Sequence, residues 1–157
     1  MASPASIAKH PLHPMLVVFP IGLWIFSFAC DLVYAATGHV SWYDAAYYAI
    51  GGGIIGGLIA AIPGSMDLLS ITRPRVKRLG IMHMLLNLCA VALFAINFIL
   101  RGEMSPGAVA PVLLSVVGLV LVVISGWLGG QMVYVHGVAV EPQPLSPTED
   151  VGETRAA

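Results

Sequence analysis

Charge is scarce in this chain. Lys, Arg, Asp and Glu together make up 10% of its 157 residues, where soluble domains carry about 25%. Apolar residues make up 58%. A water-soluble fold of this length has too little interior to hide so much apolar surface, so a purely soluble domain is excluded and the bilayer must act as solvent. The net charge of −1 gives no basic footprint for nucleic acid. Cysteine is nearly absent. Cys30 and Cys89 both lie in apolar segments and form no C-x-x-C. They read as small core residues rather than a disulfide, redox pair or metal site. G-x-S-x-G, H-E-x-x-H and the P-loop are missing, which removes the common hydrolase and nucleotide signatures. No cleavable signal peptide is evident, and the first apolar run is predicted to serve as the insertion signal.

Long apolar runs are present. Crossing the hydrocarbon core takes about 20 apolar residues in a helix. Four segments qualify, at 15–36, 42–62, 80–100 and 108–135. Pro63-Gly64 is expected to end the second by breaking its hydrogen-bond ladder. Arg101-Gly102 and Ser105-Pro106-Gly107 are expected to turn the chain between the third and fourth. The links are short, which favours antiparallel neighbours and an all-α, up-down-up-down four-helix transmembrane bundle. The expected organisation is an N-terminal arm at 1–14, a transmembrane domain at 15–140 and a proline-rich disordered tail at 141–157.

Lysine and arginine set the orientation. Lys9, Arg73, Arg75, Lys77, Arg78 and Arg155 share one side, and Arg101 stands alone on the other. The expected location is a bacterial inner membrane with both termini cytoplasmic. That topology brings His10, His13, Asp67, His83 and His136 to one face, with His83 in the first turn of its helix. His39, Asp31 and Asp44 belong to the opposite face.

Three readings compete for this cluster. Imidazole is the commonest metal ligand, so His10, His13, His83 and His136 could bind haem b or a transition metal. In that reading His83 and His136 form the facing pair and Asp67 orients a ring N–H. Met66, Met82, Met84 and Met132 at the same level would suit copper, though methionine also fills apolar gaps. In the second reading His10-Pro11-Leu12-His13-Pro14 is a rigid hydrogen-bonded cap on a non-enzymatic scaffold or assembly subunit. The third, proton-coupled transport, wants ionisable groups at the midplane. Only Ser27, Asn87, Asn97 and Ser115 are expected there. The glycines at 51–53, 56 and 57, like Ser125, Gly126, Gly129 and Gly130, give small-x-x-x-small spacings. These suit close helix packing or room for a flat cofactor.

Several motifs carry a family resemblance: HPLHP at 10–14, PIG at 20–22, Asp31, and G-x-x-D at 64–67. R-x-G-x-x-H-x-x-x-N at 78–87 and GGQMVYVHGVAV at 129–140 complete the set. Together they resemble a bacterial membrane family known as domain of unknown function 2231, over roughly residues 8–140. Glycine is usual near Ala139 and an aromatic near Leu68, so this chain departs at the site's edges. Some relatives resemble fusions to a Rieske-type iron–sulfur domain. The resemblance therefore implies electron transfer and an iron–sulfur or other redox partner alongside the lipid bilayer.

Overall fold

A computed structural model describes residues 3–140, so the expected tail beyond 140 lies outside the described residues. The N-terminal arm pairs β1 (Ser6–Ile7) with β2 (His10–Pro11) antiparallel. Ala8 and Lys9 both take positive φ, 48° and 67°, as a two-residue hairpin turn requires. Leu12 then donates its N–H to the Ala5 carbonyl and helix begins at once. Four apolar helical stretches follow, long enough to cross a membrane. The first is α1 (Leu12–Leu16) running into α2 (Val18–Thr37). Next come α3 (Val40–Ser70), α4 (Pro74–Glu103) and α5 (Val109–Gly130), the last continuing into a π-helical turn at Gln131–Val135. Large side chains such as Phe19, Tyr48, Leu69 and Trp127 stand exposed on the outer surface, where lipid replaces water.

Two boundaries differ from the sequence expectation. Pro63 does not end its helix; α3 runs on to Ser70, leaving 71–73 as the link to α4. Proline removes one ladder bond, but in a bilayer a neighbouring side chain can satisfy the freed carbonyls. The third helix is also longer, from Pro74 to Glu103, so Arg101 is inside it rather than in a turn. Pro74 suits the first helical position, where a missing N–H costs nothing. Gly38, at φ 70°, ends α2 in the left-handed conformation and turns the chain into α3.

The bundle is two hairpins. α2 packs along α3 and α4 along α5, with narrower α3–α4 and α2–α5 seams. At its centre Trp24 stacks on Phe94, ring centres 4.3 Å apart and 8° from parallel. Ile50, Ala90 and Val122 surround them. The glycines of α3 make this possible. A Cβ on Gly53 would lie 2.3 Å from Trp24 Nε1, and Gly56 faces Pro20 in the same way. The room cleared by these glycines is filled by the chain's own side chains rather than a flat cofactor. Gly53→Ala should therefore destabilise the bundle by about 1–3 kcal/mol, the usual range for overpacking. Trp24 cannot retreat without leaving Phe94. Thermal unfolding in detergent measures the loss; an unchanged midpoint would mean that the Trp24–Phe94 stack yields freely. Among the described residues, Trp24 Nε1 and Ser27 Oγ are buried without hydrogen-bond partners. Cys30 is buried, as expected; Cys89 faces outward, and both are free.

Candidate functional site

The helix register decides which histidines meet. His83 lies nine residues beyond Pro74, about 14 Å along the axis at 1.5 Å per residue. It is therefore well inside the bundle, not in a first turn. At that depth α5 offers Ser125, not His136. The expected His83–His136 pair is replaced by His13 and His83, whose ring centres are 6.1 Å apart and whose planes stand at 85°.

Each ring is fixed by a helix carbonyl. His13 Nδ1 donates to the Ala60 carbonyl at 2.8 Å. Ala60 lies three residues before Pro63, so the imidazole bonds main chain beside the proline that α3 tolerates. Gly64 gives the ring its place: a Cβ there would sit 2.6 Å from His13 Nδ1. His83 repeats the arrangement on the other hairpin. Its Nδ1 donates to the Ser125 carbonyl at 2.8 Å, and Ser125 Oγ lies 2.9 Å away. The Ser125 hydroxyl donates to the His83 carbonyl at 3.3 Å. Gly129 leaves the room, since a Cβ there would lie 3.2 Å from His83 Cε1. A carbonyl only accepts, so both Nδ1 atoms carry protons. His83 Nε2 accepts from the Asn87 amide at 3.0 Å.

The other expected members lie apart. His10 donates through Nδ1 to the Ala8 carbonyl of its own hairpin turn, 2.8 Å away and exposed. The His136 ring is half-buried beyond the π-helical turn, and the Arg73 guanidinium takes its main-chain carbonyl. Asp67 is buried, and its carboxylate accepts from Ser3 Oγ at 2.5 Å. It ties the arm to α3 and orients no imidazole among the described residues; the Ala60 and Ser125 carbonyls do that instead. Met66 and Met82 are exposed, and Met132 is buried with Ile71 and Val76. Among the described residues, no three His, Cys, Asp or Glu side chains are grouped to share an ion.

A second polar cluster lies toward the opposite end of the bundle, where the sequence reading put Asp31 late in the first helix and Arg101 in a turn, without joining them. Arg101 and Asp31 form a bidentate pair at 2.7 and 2.6 Å, with 3% and 5% of their surfaces exposed. Arg101 Nε donates to Asn97 Oδ1 at 2.9 Å. The Asn97 amide donates to the Pro111 carbonyl and to Ser115 Oγ, each at 2.8 Å. Tyr43 donates its hydroxyl to the Arg101 carbonyl at 2.8 Å, and the guanidinium lies 5.5 Å from the Tyr43 ring centre. All four helices meet in this network. Buried ionisable groups at membrane depth are costly and mark function or tight structural need. Asn97 at four residues before Arg101 was the legible signal, since that spacing puts both on one helical face.

A family model described as "Predicted membrane protein (DUF2231)" matches residues 9–142. No curated protein and no solved structure matches the chain.

Proposed function

We propose, for a chain that belongs to the DUF2231 family of predicted membrane proteins, that His13 and His83 together hold one transition-metal ion or a haem b iron and that the protein serves electron transfer in the membrane. The supporting observation is the geometry of the pair. Two imidazoles on opposite sides of one ion, each with a metal–nitrogen bond of about 2.0–2.1 Å, have ring centres roughly 6 Å apart. The separation here is 6.1 Å. Metal-bound histidines characteristically donate their other N–H to a carbonyl or carboxylate, and both rings do so. To bind, His83 Nε2 must be released by the Asn87 amide. His10, His136 and Asp67 are left outside the site. A redox partner, such as the iron–sulfur domain that the resemblance implies, would exchange electrons at this end.

One observation favours a second reading. The Asn87 amide already satisfies His83 Nε2, as it would if the histidines were a hydrogen-bonded cap on a scaffold protein. Elemental analysis and a visible spectrum of protein purified from haem-replete cells separate the two. About one metal or haem per chain is expected; colourless, metal-free protein overturns the cofactor reading and leaves the cap.

The proposed location is a bacterial inner membrane with the histidine-bearing end cytoplasmic. Lys9, Arg73, Arg75, Lys77 and Arg78 flank that end. Arg101 is paired inside the bundle and is no loop charge, which sharpens the positive-inside bias. A cysteine introduced at Ser70 in a chain lacking its native cysteines should resist membrane-impermeant maleimide on intact spheroplasts and react after lysis. Labelling of intact spheroplasts reverses the orientation.

A further inference from the structure

The Asp31–Arg101 pair does more than close the bundle: it lines a cavity of about 170 Å³. Tyr34, Tyr43, Gly107, Ala108 and Pro111 contribute to the same walls. The charges in this cavity are already balanced. Both Asp31 carboxylate oxygens accept from Arg101, so an added anion would face a buried carboxylate and an added cation a buried guanidinium. A neutral occupant avoids both costs.

The walls hold unfilled hydrogen-bond donors. Arg101 has five N–H donors. One goes to Asn97 and two to Asp31, which leaves two without a partner among the described residues. The Tyr34 hydroxyl is likewise without a partner among the described residues, and it borders the cavity beside the 107 turn. Buried donors call for acceptors. Tyr34 and Tyr43, ring centres 5.9 Å apart and tilted by 56°, give the cavity an aromatic wall on which a ring can pack. The volume is below the roughly 300–1,000 Å³ of pockets for drug-sized ligands, which limits the occupant to about one ring. Asp31 sits six residues before the end of α2, about 9 Å along the axis, so the cavity lies within the depth of the spanning helices.

The geometry points to a binding site for the head group of a lipid-soluble quinone: neutral, flat, of single-ring size, and presenting carbonyl acceptors to Arg101 and Tyr34. The site is separate from the histidine pair and stands whether or not that pair binds a metal.

The test uses the full chain in detergent with decylubiquinone as probe and decanol as the control for partitioning into micelles. Thermal unfolding is followed across a titration, because a ligand that binds only the folded state raises the midpoint by mass action. A saturable rise with decylubiquinone and none with decanol is expected. Tyr34→Phe should weaken the apparent affinity about fivefold, the worth of one neutral hydrogen bond, and Tyr34→Ala should weaken it further. Tyr34 is only half-buried, so both variants retain the bundle. No saturable rise, an equal response to decanol, or an unchanged affinity in both variants would each overturn the proposal.

Discussion

Arg101→Ala should lower the stability of the bundle by about 3–5 kcal/mol, the usual cost of removing one partner from a buried ion pair. Asp31 would be left as a buried carboxylate without its two guanidinium bonds. Asn97 Oδ1 would lose its donor as well. The damage reaches every helix: Asp31 is on α2, Asn97 on α4, and Pro111 and Ser115 on α5, while Tyr43 of α3 holds the Arg101 carbonyl. Asp31→Ala should cost a similar amount from the other side. The double variant Asp31→Leu/Arg101→Met should be markedly more stable than either single one, because apolar replacement of a whole buried pair is often neutral or better. Unfolding midpoints of the four proteins in one detergent measure this. Single variants that unfold like the wild type would show that water reaches the pair and screens it.

His83→Ala should abolish the visible band or the bound metal while leaving insertion intact. Spanning depends on apolar length and internal backbone hydrogen bonds, and α4 supplies both without His83. His13→Ala should have the same effect, because one imidazole cannot replace the bond of two. His39→Ala, at the start of α3 on the opposite face, should change nothing. His10 and His136 provide sharper controls, since both belong to the cluster expected from sequence but hydrogen-bond outside the pair. A band that survives His13→Ala and disappears in both His83→Ala and His136→Ala would move the site to the pair expected from sequence alone.

The four helices were legible because apolar length is a direct record of bilayer thickness, and their short links left one simple topology. That topology sends the expected polar residues toward one end, but among the described residues no three of them share a site. Depth was not legible. Where a helix begins depends on Pro74 sitting at its first turn, and an error of six residues there moves His83 by about 9 Å. That shift exchanges His136 for Ser125 as its neighbour. The effect of Pro63 is hidden for a related reason: it depends on what packs beside the proline, and the His13 bond to the nearby Ala60 carbonyl comes from 47 residues away. The Asp31–Arg101 pair spans 70 residues, and a charge beside Gly102 looks like a turn when its partner is not known. The choice between His10 and His13 was likewise hidden. Both stand in one HPLHP motif, and only the hairpin turn at Ala8 and Lys9 sends His10 back onto its own loop.

The glycine notches divide the imidazole pair between two separable pieces of chain. His13 is stapled within the first hairpin, through Ala60, and His83 within the second, through Ser125. Only residues 71–73 join the halves. Each half holds one ring on a carbonyl of its own, and neither half contains the pair. An ion held between them would be a record of completed assembly: a chain with only one hairpin in the membrane, or with its hairpins splayed, would have nothing to hold it with.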